Sequence, residues 1–591
     1  MSRPSPHLLL RAPTPSQKSL SFCEANPRDF KGWIASLPKA NIGETARLLY
    51  QGLTELNALV IASDVRMQLL ELLRPEVYYV CRHLEKHFLN QAIVLDERAR
   101  KVANLCQALQ NHLAVGYKQI VVRQAESNPK ERSTLMAIAL ERATHALNGP
   151  LVRAALLYCP VPEGLWVELH QLYLVAVDQK VQQVPVADDL AAHVKALSPE
   201  QAYVAALLLG CSRCNQMRQS SIARLAEAVQ AWSAHARLQP ALAETSLFAV
   251  SPALDAPPRY KSLFSEAQWP SLIGLDTLGL SDALKDYVAS TPEQRQVSRL
   301  AVPPTYSLDL LQHLAAAWGN VSERSFERVP GTGNLTLCVG MSALHYYLGG
   351  ERAFSDMLQR PSAGQAQFNQ GQGWAQMFEA NKHEIVMEEI QYAAPASEPR
   401  ASAGAALSQQ REYPTYSLQI VNHSPGGYCL AWPREVPAQL QAGEMVGIQD
   451  APGQGWSVAV VRWIRQVRSG GTQMGIELLA PHAQPCGLQL VRSNEPNSEY
   501  LRGLLLPEIR AIDIPATLMA PRLPFQEGQK VIINTLGDER RAGLGKRVAA
   551  TGSFNQFEYR TLEQPNEPPV LAPGAEEAAP EENFDSLWRD L

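Results

Sequence analysis

The sequence predicts a multidomain α plus β protein: an N-terminal all-α helical array, then an antiparallel β-barrel with an insertion, then a second small β-barrel or an extension of the first. Three observations predict it. The chain has 591 residues, more than one hydrophobic core organises, which suggests about three to five domains. Apolar residues recur every three or four positions from about 26 to 240. Beyond 413, short β-branched runs alternate with glycine-containing turns.

Residues 1–19 are rich in Pro and Ser, which predicts disorder, and the helical array occupies 20–240. Asn26 and Pro27 suit the cap and first position of a helix carrying Phe30, Trp33, Ile34 and Leu37. In NIGETARLLYQGLTELNALVI, the residues Ala46, Leu48, Leu49, Leu53, Leu56, Leu59 and Val60 make a buried stripe. RMQLLELLRPEVYYVCRHLEKHFL reads as two helices meeting near Pro75. Helix pairs continue through 96–123, 129–148, 150–182 and 198–236. No strict repeat consensus recurs, so the pattern is that of an irregular solenoid or a TPR-like array. Over 241–305 prolines cluster and periodicity fails at first, which predicts a linker, with helices returning at 281–290 and 306–318. Strand-like sequence fills 413–480 and returns over 512–561. The end, 564–591, is an acidic, proline-rich tether followed by an amphipathic motif. There Phe584, Leu587, Trp588 and Leu591 fall on one helical face, either to engage a protein partner or this chain itself, or as a frayed tail.

Hydrophobic content of 46% and charged content of 19% suit a soluble globular chain. A net charge of -5 leaves no broad basic field for a nucleic-acid polymer, whereas a small anion needs only a local cluster. No apolar stretch approaches the roughly 20 residues of a membrane span. The run Leu8–Leu10 is too short for a signal peptide. Nine scattered cysteines read as free thiols in a cytoplasmic protein. No catalytic or metal-ligating set stands out. Cys211 and Cys214 form a lone pair at a helix end, and His83 and His87 lack a third ligand. There is no Gly-x-Ser-x-Gly elbow and no P-loop. The chain is therefore expected to be no enzyme and to use no cofactor.

One constellation carries function. Asn422-His-Ser424-Pro-Gly-Gly427 lies between the strand-like runs YSLQIV and YCLAW. Downstream, VVRWIRQVRSGGTQMGIELL reads as a closing hairpin, and Gly443 precedes a strand that includes Val446. In order, spacing and strand context, 413–480 resembles the PilZ family of cyclic di-GMP-binding domains. That family carries Asp/Asn-x-Ser-x-x-Gly between two strands and Arg-x-x-x-Arg before its first strand. Arg400 and Arg411 do not make the arginine pattern, but Arg324-Ser-Phe-Glu-Arg328 does, ahead of the strand-like LTLCVG at 335–340. The resemblance thus implies a barrel over 306–490 whose first strand, 334–340, is followed by an insertion at 341–412 that loops out. A second β domain follows at 491–563.

The resemblance also implies cyclic di-GMP as ligand, held by Arg324, Arg328, Asn422, Ser424 and Gly427. The chemistry is apt. An arginine fork pairs with phosphate or with the O6/N7 edge of guanine, and its plane stacks on a base. Asparagine supplies donors and an acceptor, serine a hydroxyl, and glycine close backbone approach. The expected function is a cyclic di-GMP effector that signals to a protein partner through domain rearrangement, in bacterial motility, pilus or biofilm control. The other reading is a scaffold or chaperone-like adaptor whose barrel binds no nucleotide. Whether the Arg324–Arg328 segment lies beside Asn422 separates the two.

Overall fold

The computed structural model describes residues 9–562 except 127–132, 192, 299, 320–327, 360–412, 434–435, 452, 469, 493–495 and 509–514. The N-terminal region is helical: α1 (Pro27–Ala35), α2 (Ile42–Ala58), α3 (Ser63–Glu85), α4 (Glu97–Glu126), α5 (Ser133–Leu156) and α6 (Leu165–Asp178). A two-stranded ribbon of β1 (Val186–Ala187) and β2 (Ala196–Leu197) precedes α7 (Pro199–Cys211) and α8 (Gln219–Trp232). Asn26 caps α1 by accepting from the N–H groups of Arg28 and Asp29, and Ser198 and Gln201 cap α7 reciprocally. The helices gather around α5, which touches α4, α6, α7 and α8 and buries Leu140, Ala143 and Leu147.

Three expectations about this half are corrected. Residues 9–19 are not disordered: Leu10 is buried, the N–H groups of Ser16 and Gln17 donate to Ala58 O, and Gln119 donates to Pro13 O. Pro75 does not divide two helices. It lies inside the continuous α3, whose apolar stripe Leu69, Leu70, Leu73, Val77 and Val80 is buried on both sides of it. The stretch after 236 is not a linker. It folds as a four-stranded sheet of β3 (Arg237–Pro240), β4 (Phe248–Val250), β5 (Arg259–Tyr260) and β6 (Ile273–Asp276), in the order β3-β6-β4-β5. Its strands are two to four residues long, too short to show alternation. Then come α9 (Leu278–Ala289), α10 (Pro292–Gln296) and α11 (Leu308–Ala317).

The middle barrel comprises β7 (Val329–Pro330), β8 (Asn334–Val339), β9 (Thr415–Ser424), β10 (Gly427–Trp432), β11 (Met445–Gln449), β12 (Ser457–Gln466) and β13 (Thr472–Ala480). Its order is β10-β13-β12-β11-β8-β9-β7, and a β9–β10 pairing closes six of the strands into a ring, leaving β7 on the outside of β9. Between β8 and β9 lie α12 (Met341–Leu348) and α13 (Phe354–Met357). These residues do not loop out as expected. Ala343, Leu344 and Tyr346 are buried, and α12 packs on β8 and β11.

The second barrel closes fully in the order β14-β15-β16-β19-β18-β17. Its strands are β14 (Gln484–Leu490), β15 (Leu501–Leu506), β16 (Thr517–Pro521), β17 (Lys530–Thr535), β18 (Asp538–Ala550) and β19 (Phe554–Thr561). It therefore begins before the expected boundary at 491, because β14 pairs with β15 and β17 rather than with the middle barrel. α12 also packs on β14 and β15, so it bridges the two barrels.

The middle barrel is firmly seated on the helical region. One buried core runs from Leu49 and Leu140 through Trp232 and Trp318 to Leu430, Ile464 and Met474. The Gln466 amide at the end of β12 donates to Ile93 O (2.8 Å) and Leu157 O (3.1 Å). Arg218 donates to Ala442 O (3.1 Å), pairs with Glu444 (3.2 Å) and reaches the Ser553 hydroxyl of the second barrel. Among the described residues no helix is long and apolar enough to cross a membrane.

Candidate functional site

The hairpin β9–β10 places the sequence-predicted residues. Ser424 pairs with Gly427 across the turn Pro425-Gly426, His423 with Tyr428, and Asn422 with Cys429. The Ser424 hydroxyl donates to Gly427 O (3.5 Å), and the Leu478 N–H donates to Gly426 O (3.0 Å), which ties the turn to β13. Gly427 has φ +153, and a Cβ there would stand 2.0 Å from Ile476 O, so only glycine permits this approach of β10 to β13.

The arginine segment arrives from the other side. Val329 pairs with His423, Pro330 with Asn422, and the Gly331 N–H donates to Val421 O (3.2 Å). This short pairing sets Arg328 beside the hairpin, and its Nη1 donates to Asn422 Oδ1 at 3.2 Å. Ninety-four positions of sequence separate the two residues. Arg324 lies outside the described residues.

Cross-strand pairing continues the row. Asn422 faces Cys429, Cys429 faces Gly475, and Gly475 faces Trp463, and directly paired residues point to one side of a sheet. A Cβ on Gly475 would lie 2.0 Å from Trp463 Nε1, so the indole covers that glycine. The Arg465 guanidinium sits 5.3 Å from the indole centroid and donates to Gln473 Oε1 (2.7 and 3.1 Å). Burial pushes the Cys429 thiol pKa up, while the charges of Arg328 and Arg465 pull it down, so both cations act on one patch. Neither has a carboxylate partner among the described residues; both are held by amide oxygens. The result is an exposed face with two uncompensated guanidinia, an amide and an aromatic plane. That is chemistry for a ligand with both anionic groups and flat rings.

Trp463 and Arg465 were not among the residues expected from the sequence. A β-bulge between Val461 and Trp463 shifts the strand's alternation, so period-2 reading does not put them on the side of Asn422 and Cys429. Among the described residues, Glu141, His145 and Asp188 have spacing compatible with a metal ion. Both Asp188 oxygens are occupied by Arg74 (2.7 and 2.6 Å), which also lies 2.6 Å from His145 Nδ1. This fits a buried ion-pair network rather than a cation site. Burial raises the Asp188 pKa, but hydrogen bonds from His145 and Arg74 outweigh it and hold the carboxyl well below the usual range.

Three family models match the chain in sequence: the N-terminal domain of the cyclic-di-GMP receptor FimW at 28–243, its middle PilZ domain at 247–485, and its C-terminal β-barrel domain at 486–562. The curated cyclic-di-GMP receptor FimW of Pseudomonas aeruginosa is 57% identical over 608 aligned positions, covering 100% of each chain. No solved structure gives a significant match. The barrel, its signature hairpin and these matches agree: the chain belongs to the family of cyclic-di-GMP receptor FimW proteins, with a PilZ domain in the middle.

Proposed function

We propose that this chain is a cytoplasmic, non-enzymatic cyclic di-GMP receptor. The ligand lies on the face made by Arg328, Asn422, Ser424, Gly427, Trp463 and Arg465, with Arg324 closing over it. The observation that carries the reading is the Arg328–Asn422 hydrogen bond, which joins the two halves of the PilZ ligand signature. The name of the Pseudomonas aeruginosa relative supports the same ligand. Guanidinia pair with the phosphates or guanine edges, and the Trp463 indole offers a base a stacking surface.

Because the barrel shares a core with the helical region, gross reorientation of those two bodies is opposed. The ligand instead engages Arg328, ahead of β7, together with Arg324, and so alters the surface offered to a protein partner. The helical region and the motif Phe584, Leu587, Trp588 and Leu591, which lies outside the described residues, are the proposed partner-binding parts. Motility, pilus or biofilm control is the proposed process. Calorimetric titration with cyclic di-GMP tests the site. Arg328→Ala weakens binding at least about tenfold, a charged contact being worth about 1.5–3 kcal/mol. Equal affinity of variant and parent refutes the assignment.

A further inference from the structure

A cationic cavity of about 250 Å³ lies where α12 and α13 meet the second barrel, lined by His345, Tyr346, Arg352, Phe354, Tyr413 and Arg502. It shares no residue with the PilZ ligand face. The Arg502 guanidinium stands 4.8 Å from the Phe354 centroid, and its Nη2 is 3.5 Å from the Tyr413 hydroxyl. Tyr346 and Tyr413 stack at 4.8 Å and 26°. No carboxylate lines the cavity, and neither arginine has a carboxylate partner among the described residues. His345 adds no charge: burial lowers its pKa to about 4, and its Nε2 lies 3.2 Å from Cys486 O.

Two guanidinia without a carboxylate partner among the described residues, facing one partly enclosed pocket, offer an oxyanion charge-assisted hydrogen bonds. The volume falls below the roughly 300–1,000 Å³ of sites for drug-sized ligands. It suits one phosphoryl group with one ring, not a cyclic dinucleotide. We propose that this pocket binds a small phosphomonoester, its phosphate between Arg352 and Arg502 and the remainder against Phe354, Tyr346 and Tyr413. Because α12 packs on β8 and β11 of one barrel and β14 and β15 of the other, such a ligand braces the two barrels.

The test is calorimetric titration of the full chain with inorganic phosphate and with phenyl phosphate at fixed ionic strength. The expected result is saturable binding that Arg502→Gln and Arg352→Gln each weaken at least about tenfold, and that Arg328→Ala leaves unchanged. Absence of saturable binding for both probes overturns the proposal. So does parental affinity in both glutamine variants, or loss of binding in Arg328→Ala, which would place the anion on the PilZ face. Circular dichroism checks folding. Should Arg502→Gln fail to fold, Arg352→Gln, at a partly exposed position, carries the test.

Discussion

Two barrels of six antiparallel strands lie side by side in this chain, and a pair of arginines on each is held differently, Arg462 of the first (paired with Glu477) and Arg502 of the second (against Phe354) standing apart from that contrast. In the middle barrel, Arg328 and Arg465 donate to the amide oxygens of Asn422 and Gln473 and keep their charge available. In the second, Arg540 pairs with Asp538 (3.0 Å) and Arg547 with Asp309 (3.7 Å) of α11. The second barrel encloses a compact apolar core of Cys486, Leu488, Leu518, Phe525, Val531 and Phe557. The middle barrel merges its core with the helical region and leaves its signature hairpin outside. A shared ring architecture therefore says little about function; charge left unneutralised on a rigid strand row says more.

The largest effect that sharpens the contrast is at Gly427. Gly427→Ala drives a Cβ into the backbone oxygen of Ile476, which cannot yield without moving a strand. A loss of more than about 3 kcal/mol is expected in denaturant melts, with the ligand face lost too. The matching change in the second barrel, Gly503→Ala, meets the buried Leu488 side chain at 2.4 Å (Cδ1) and 2.6 Å (Cγ), with the nearest backbone oxygen, of Met519, at 3.1 Å. There the core must shift rather than a strand, at a cost of about 1–3 kcal/mol. Equal losses would remove the distinction between backbone and side-chain approach.

Next in size is an acid effect at the bridge between the barrels. Burial holds the His345 pKa at about 4, below the ordinary 6.5. The neutral ring is the native form, so its contribution is fully present above pH 6.5 and falls as the pH drops toward 4. Stability should decline by about 2 kcal/mol between pH 7.5 and pH 5 from this group. His345→Asn flattens that part of the pH profile; an unchanged slope would contradict the buried neutral ring.

A smaller pair of changes separates the two kinds of arginine. Arg328→Ala costs cyclic di-GMP affinity at least about tenfold, or about 1.4 kcal/mol, with little change in melting. Arg540→Ala leaves affinity alone and shifts stability by under about 0.5 kcal/mol, as an exposed ion pair does. Affinity loss in the Arg540 variant would move the ligand to the wrong barrel.

Much of this was legible in the sequence. The Asn-x-Ser-x-x-Gly hairpin fell where 422–427 predicts it, because a two-residue turn and a glycine at a close strand approach leave local marks. The arginine segment was legible only by its order relative to a strand, and Val329–Pro330 pairing with Asn422–His423 supplies the physical link. The four-stranded sheet over 237–276 was not legible, since strands of two to four residues with interleaved prolines show no period. The burial of α12 was misread because its apolar face serves two barrels at once, a tertiary fact with no local signature. Trp463 and Arg465 were hidden by the bulge at Val461/Trp463, which alters the alternation.

Hydrogen exchange of the full chain with and without saturating cyclic di-GMP tests the central claim most directly. Added protection is expected in 320–331, in the hairpin 422–429 and at 463–465, with the second barrel unaffected. Protection centred on 484–561 instead, or no change at the hairpin, would contradict a ligand held between Arg328 and Asn422.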